Sequence, residues 1–164
     1  MNTSVDIKLD KQFDYDYTPR GLICRAEDWY HLATDAMGQN ADNFNESRYV
    51  AFCFSIEFML KALLCLDEKN ARDSVLKDYR HNLGETKDAV LGSLADQRLK
   101  SLIEEFFATY PEFNDRNLID VRYGKVGSIR SYSWGAMLSS LYKEILVKSR
   151  VVVCDKVMYC DAKQ

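Results

Sequence analysis

The chain has 164 residues, which is enough for one domain with a full hydrophobic core and too few for two such domains. Its composition of 47% hydrophobic, 29% charged and 12% aromatic residues excludes general disorder. The formal net charge of −3 gives no global reason to expect binding to nucleic acid or to an anionic membrane, although a local basic patch is compatible with it.

The first residues, 1–17, alternate charged and aromatic side chains, and we interpret them as an N-terminal arm that precedes a single domain over 18–164. Thr18 and Pro19 predict the start of the first helix, with Thr18 as the N-cap and Pro19 at the first helical position, where its missing N–H costs nothing. Gly38 predicts the end of this helix. Apolar residues at helical spacing lie between them: Leu22, Ala26, Trp29, Ala33 and Met37.

A second helix is predicted over about 46–66. Because its connection to the first helix is short, the two helices should be antiparallel neighbours. A shorter helix is predicted over 85–94, and an amphipathic helix follows over 95–110, where Pro111 ends it.

The last predicted helix begins near Ser133 and ends before the run from Val151 to Val153, because β-branched residues favour an extended conformation. The pattern as a whole predicts one all-α domain of four main helices plus short pieces. A homodimer is also predicted, since the second helix and part of the last one present more apolar surface than one small bundle easily hides. The apolar residues of the last helix in that argument are Leu138, Leu141, Tyr142 and Ile145.

Cysteine usage and hydropathy indicate the compartment. The five cysteines form an odd set, with no Cys-x-x-Cys and no nearby histidine to complete a zinc site. Free thiols favour a reducing cytosol, so we expect a cytoplasmic protein without a bound metal or cofactor. The first residues lack the pattern of a secretory signal, and Glu57, Lys61 and Asp67 interrupt the longest apolar stretch, so we expect no membrane span.

Glu57 and Lys61 are opposite charges in a segment that is otherwise apolar on every side, from Tyr49 to Leu66. Their spacing of four residues places both on one helical face, with the acid N-terminal, which is the favourable order. A helix that is apolar around its whole circumference is central in a fold, so the pair should be at least partly desolvated. Two interpretations stay open: an ion pair that sets the packing register, or the polar edge of a functional site.

Standard catalytic motifs are absent, since the sequence has no Gly-x-Ser-x-Gly elbow, Walker lysine loop or Gly-x-Gly-x-x-Gly fingerprint. Two histidines are too few for a histidine-rich metal site. His31 lies on the first predicted helix, where an ordinary surface or boundary histidine is the favoured interpretation. His81 precedes the third predicted helix, where it can cap that helix or approach Glu57 and Lys61.

Several short motifs in order resemble the HEPN superfamily, named for higher eukaryotes and prokaryotes nucleotide-binding. They are Ile-Glu-x-x-Leu-Lys-Ala-Leu-Leu (Ile56–Leu64), His-Asn-Leu (His81–Leu83) and Arg122-Tyr123 before the last helix. The resemblance covers about Pro19–Val147. It implies a four- to five-helix up-and-down bundle that often forms dimers. Members of the superfamily are ribonucleases, nucleotide- or RNA-associated modules, or partners of small nucleotidyltransferases in toxin–antitoxin and defence systems.

Active members of that superfamily carry an arginine and, four to six residues later, a histidine near the last core helix, usually paired across the dimer to cleave RNA without metal. No histidine follows His81 in this chain, so the last helix cannot supply one. A literal match of that spacing, Arg25-x5-His31, lies instead on the first predicted helix. The sequence therefore favours a protein that lacks the usual nuclease site.

The favoured function is a non-catalytic HEPN-like module that binds a nucleotide, an RNA or a partner protein. Its predicted ligand-binding residues are Glu57, Lys61, His81, Arg122 and Tyr123. Arg122 can grip phosphate as a fork, and Tyr123 can stack on a base. The structural alternative is that Arg122 pairs with Glu57 in the interior and Tyr123 packs over it.

Two other functions stay open. One is a metal-independent endoribonuclease with a variant site formed by Arg25 and either His31 or His81. The other is a purely structural dimerising protein, whose apolar helices and Val-rich tail make the interface. A two-component system with a nucleotidyltransferase partner is an extension that the HEPN resemblance implies.

Overall fold

The computed structural model describes residues 17–35, 46–67, 75, 79, 81–114 and 136–161. All of its regular elements in these ranges are helices, which confirms the predicted all-α bundle. Five α-helices and one 3-10 turn are present there: α1 (Pro19–Asp35), α2 (Glu46–Leu64), α3 (Leu83–Ser93), α4 (Gln97–Thr109), the turn Pro111–Phe113, and α5 (Ala136–Asp161).

Helix α1 begins as predicted. The backbone N–H of Gly21 donates to the Thr18 side-chain oxygen at 3.1 Å, which makes Thr18 the N-cap, and Pro19 is the first helical residue. Residues 1–16, which make up almost all of the predicted N-terminal arm, lie outside the described part of the chain, as do Met37 and Gly38.

Helices α1 and α2 are antiparallel neighbours, as expected. The Arg25 guanidinium lies 5.8 Å from the Phe58 ring centroid, while Trp29, one turn later in α1, packs against Phe54, one turn earlier in α2. Helix α2 also contacts α3 and α5. It is therefore the central helix of the bundle, and none of its described side chains from Arg48 to Leu64 is exposed.

Side chains cap the two shorter helices. Asn82 accepts a hydrogen bond from the Glu85 backbone N–H at 3.1 Å and starts α3, and Asp96 accepts one from the Leu99 N–H at 2.9 Å and starts α4. The caps define where both helices start, and all four observed boundaries lie within two residues of the sequence prediction.

The start of α3 is held against the turn after α4. A Cβ atom at Gly84 would collide with the Asn114 carbonyl oxygen, so only glycine allows this close approach. Asn114 also accepts a hydrogen bond from the Lys87 ammonium at 2.9 Å and donates one to the Phe107 carbonyl at 3.2 Å. This contact positions the residues just before α3, which include His81.

The prediction of an extended segment at Val151–Val153 is wrong, because α5 continues through it to Asp161. A β-branched residue loses up to about 0.7 kcal/mol in a helix relative to alanine, whereas complete burial of a valine side chain contributes about 1.5 kcal/mol or more. Val153 is completely buried. It continues a buried helical face that also contains Tyr142, Ile145, Leu146 and Ser149.

A chain of hydrogen bonds crosses the core from α5 to α1. The Tyr142 hydroxyl lies 2.9 Å from the Ser55 hydroxyl, which donates to the Ala26 carbonyl oxygen at 2.6 Å. Because Ser55 has one hydroxyl proton and gives it to Ala26, Tyr142 is the donor to Ser55. Both side chains are completely buried, and burial raises the pKa of the Tyr142 phenol well above its usual range.

The apolar surface behind the homodimer prediction is mostly consumed within one chain. Tyr142 and Ile145 are buried in the bundle, Leu141 is half-buried, and none of the described side chains of α2 is exposed. The side chain of Leu138 lies outside the described residues. The described part of this surface therefore leaves little apolar area for a dimer interface, and the homodimer stays a prediction.

None of the helices in the described ranges is long and apolar enough to cross a membrane.

Candidate functional site

The ion pair predicted in α2 is present and deeply buried. The Lys61 ammonium donates to Glu57 Oε1 at 2.5 Å, with the two side chains only 5% and 4% exposed. The pair is buried because the residues around it are apolar on every face of the helix, and each of these faces packs against the rest of the bundle. Removing one partner would leave the other charge buried and uncompensated.

His81 joins this pair from the residues before α3. Its Nδ1 lies 3.2 Å from both carboxylate oxygens of Glu57. Of the two roles open to His81 in the sequence, the approach to Glu57 is the one observed, since Asn82 caps α3 instead. We call Glu57, Lys61 and His81 the Glu57 cluster.

The Glu57 cluster is closed toward the core and open toward solvent. The His81 side chain is 39% exposed, ten times the fraction of the Glu57 side chain. When Nδ1 carries a proton and donates to Glu57, Nε2 is the ring nitrogen that remains for a ligand. Lys61 already compensates the charge of Glu57, so a ring that carries both protons adds a net positive charge at the solvent-facing edge.

The other predicted ligand residues are not part of the observed geometry. Arg122 and Tyr123 lie outside the described residues, so both interpretations of them, phosphate grip and interior pairing with Glu57, stay predictions. The part of the predicted face that the structure brings together consists of Glu57, Lys61 and His81.

The structure separates Arg25 and His31 on α1. Six residues rotate a helix by about 240°, so their side chains leave α1 in different directions. Arg25 lies over the rings of Tyr17 and Phe58, at 5.2 and 5.8 Å from their centroids, whereas His31 is exposed beside Tyr30. His31 is the surface histidine that the sequence favoured, and α1 alone does not form a paired Arg–His site.

A groove at one end of the bundle was not predicted. It has a volume of about 490 Å³, and Leu63, Leu94, Val152 and Asp155 are among its lining residues. The Lys156 ammonium, which also lines it, donates to the Leu66 carbonyl oxygen at 2.6 Å. Its walls come from the end of α2, the α3–α4 connection and α5, segments so distant in sequence that no local pattern indicates the groove.

Within the described ranges, no three His, Cys, Asp or Glu side chains are grouped so that they could hold a metal ion. No protein-family model matches the chain, and neither the curated proteins nor the solved structures contain a match. The geometry of the Glu57 cluster is therefore the observation from which a function can be inferred.

Proposed function

We propose that the protein is a non-catalytic, HEPN-like helical module that binds a phosphate-bearing ligand, either a nucleotide or a single-stranded RNA, at the Glu57 cluster. The observation that carries the proposal is the partly exposed His81 held on a buried carboxylate. A histidine fixed at Nδ1 presents Nε2 in one orientation, and a ring that carries both protons donates a charge-assisted hydrogen bond to a phosphate oxygen.

The cluster supports binding better than cleavage. Cleavage of RNA without metal needs a general base and a general acid near the same phosphate. Lys61 is buried and donates to Glu57, so it does not reach a substrate as the second group. Within the described ranges, His81 is therefore the one titratable member of the cluster that faces solvent.

The proposal also includes the remaining expectations from the sequence. Arg122 would grip a phosphate and Tyr123 would stack on a base beside His81. The module would act in the cytoplasm, as a homodimer and with a nucleotidyltransferase partner in a two-component toxin–antitoxin or defence system. This last context depends on the HEPN resemblance alone.

Binding should be measured by fluorescence anisotropy with a labelled single-stranded oligoribonucleotide and, separately, a labelled adenine nucleotide. We expect His81→Ala to weaken binding about ten-fold or more, because it removes a hydrogen bond to a charged group. Arg122→Ala should also weaken it, and binding should fall as salt rises because phosphate contacts release counterions. His31→Ala is the matched control and should bind like the wild type, since His31 is exposed on another helix.

Wild-type affinity in His81→Ala would contradict the proposed site. Absence of binding to either probe in the wild type would contradict the ligand class and leave a partner protein as the occupant of this face.

A second candidate function, a metal-independent ribonuclease, is favoured by one feature of the same cluster. A carboxylate that orients a histidine through Nδ1 is the arrangement that general bases use in hydrolytic enzymes. In that case the wild type should cleave single-stranded RNA in the presence of a chelator. Both His81→Ala and Glu57→Gln should abolish the activity, and His31→Ala should retain it.

A further inference from the structure

A stripe of apolar side chains runs along the outer face of α5, away from the core. It consists of Val147, Val151, Cys154 and Met158, spaced by four, three and four residues. Val147, Val151 and Met158 are 53%, 54% and 65% exposed, and Cys154 is half-buried. The spacing is that of alternating a and d positions in a coiled coil, so the four side chains line up as one seam.

This stripe is separate from the buried face of α5. Ser149, which is completely buried, lies two residues from both Val147 and Val151, about 200° around the helix. The opposite face of α5 therefore packs on the bundle, while Val147, Val151 and Met158 of the stripe remain more than half exposed. Within the described ranges, four large apolar residues are exposed, and three of them belong to the stripe.

We propose that this stripe is a self-association surface on which α5 of a second copy packs antiparallel about a two-fold axis. In this register Val147 meets the partner subunit's Met158, and Val151 meets the partner subunit's Cys154. The two-fold axis repeats both contacts, so all four apolar positions of each chain find an apolar partner.

Charge complementarity supports a second copy as the occupant. Lys148 and Asp155 flank the stripe on the same side of α5, seven residues apart. In the antiparallel register Lys148 lies beside the partner subunit's Asp155, and the symmetry makes this pairing twice. Asp155 is exposed. The Lys148 ammonium lies 3.9 Å from the Glu144 carboxylate, which is a long distance for an ion pair, so both charges are available for an intermolecular pair.

The antiparallel register is favoured over a parallel one by Arg150. In a parallel pair, Arg150 would have to form the ion pair with the partner subunit's Asp155. The Arg150 guanidinium, however, already donates to Glu27 of its own chain at 3.0 Å. The stripe is about 16 Å long at the helical rise per residue. This is short for a standard interface of roughly 1,600 Å², so we expect a dimer with a dissociation constant in the micromolar range.

This surface is distinct from the proposed ligand site. Tyr142 of α5 contacts Ser55 on α2, and Glu57 lies about 200° around α2 from Ser55. The Glu57 cluster thus faces away from α5. Failure of self-association would leave the ligand proposal intact, and failure of ligand binding would leave the dimer.

Sedimentation equilibrium tests the stripe. The wild type should dimerise at about 100 µM protein. Val151→Glu should be monomeric with an unchanged circular dichroism melting curve, because the side chain is exposed. Leu32→Glu is the matched control, since Leu32 is equally exposed on α1 away from the stripe, and it should remain a dimer.

Two further experiments, a charge swap and a disulfide cross-link, test the register. Lys148→Asp and Asp155→Lys should each weaken the dimer, and the double swap should restore it. In protein with Cys24, Cys65 and Cys160 changed to Ser, Val151→Cys should give a disulfide-linked dimer under oxidised glutathione. The native Cys154 alone should not, because a Cys154 pair would indicate the parallel register.

A wild type that stays monomeric at about 100 µM protein would overturn the proposal, and a different partner would then have to cover the stripe. A dimer that persists in Val151→Glu, or a charge swap without rescue, would also overturn it.

Discussion

Two buried polar groups lie on opposite sides of α2, and they differ in how they meet solvent. The Tyr142–Ser55–Ala26 chain is neutral, completely buried and internally satisfied. The Glu57 cluster is ionic, and one of its members is exposed at the surface. A closed neutral chain can only hold helices together, whereas an ionic cluster with an open edge can also respond to a ligand. The difference identifies the Glu57 cluster as the candidate site.

The largest expected effect comes from breaking the ion pair. Lys61→Met leaves the Glu57 carboxylate buried without its closest partner, and we expect it to lower the free energy of unfolding by about 3–5 kcal/mol. In Glu57→Gln protein the same change should cost much less, because no charge is left unpaired. Urea unfolding of the four proteins in this double-mutant cycle measures the coupling, and additive effects would show that the two side chains do not interact.

The neutral chain should show an asymmetry between its two hydroxyls. Ser55→Ala leaves the Tyr142 hydroxyl buried without an acceptor, so we expect a loss of about 1–3 kcal/mol. Tyr142→Phe leaves Ser55 bonded to the Ala26 carbonyl and should cost about 1 kcal/mol. Urea unfolding of Ser55→Ala, Tyr142→Phe and, as a control, the double variant measures these losses. Equal costs would contradict the assigned direction of the Tyr142–Ser55 hydrogen bond.

Alkaline pH should lower the contribution of Tyr142 to the free energy of unfolding. Burial raises the pKa of Tyr142 above the ordinary value of 10.0, so the folded protein holds this proton more tightly than the unfolded chain. The resulting stabilisation is fully present below pH 10.0 and is lost as the pH rises above it, by about 1.4 kcal/mol per pH unit. Unfolding at pH 9 and pH 11 should show a steeper loss for the wild type than for Tyr142→Phe. An equal loss of unfolding free energy in the two proteins would show that folding does not raise the pKa of Tyr142.

The smallest effect on stability should come from the open edge of the Glu57 cluster. Lys61 still pairs with Glu57 after His81→Ala, and His81 is partly exposed, so we expect a cost below about 1 kcal/mol. The same change should nevertheless reduce ligand binding. A stability loss as large as that of Lys61→Met, with ligand binding unchanged, would show that all three residues serve packing alone.

Local patterns were sufficient where neighbouring residues decide the structure. Thr18 and Pro19 predict the start of α1, and the spacing of Glu57 and Lys61 predicts their contact, because caps and pairs one turn apart depend on a single segment. Val151–Val153 shows the limit of such patterns. Its intrinsic preference for an extended conformation is weak, and burial of Val153 within the bundle outweighs it.

The contact between His81 and Glu57 shows what the sequence determined and what it left open. The sequence restricted His81 to two roles, as a cap of the next helix or as a partner of the buried pair. The choice between them required the position of α3 against α2, which depends on the packing of two helices that are separate segments of the sequence.

The sequence by itself determined the helical class, the central place of α2 and the ion pair within it, because hydrophobic periodicity and spacing are local properties of the chain. Only the tertiary structure decided that His81 faces Glu57, that Ser55 and Tyr142 meet across the core, and that one face of α5 is left exposed. These features depend on how helices far apart in sequence pack, and each results from the sum of many weak contacts that no single segment contains.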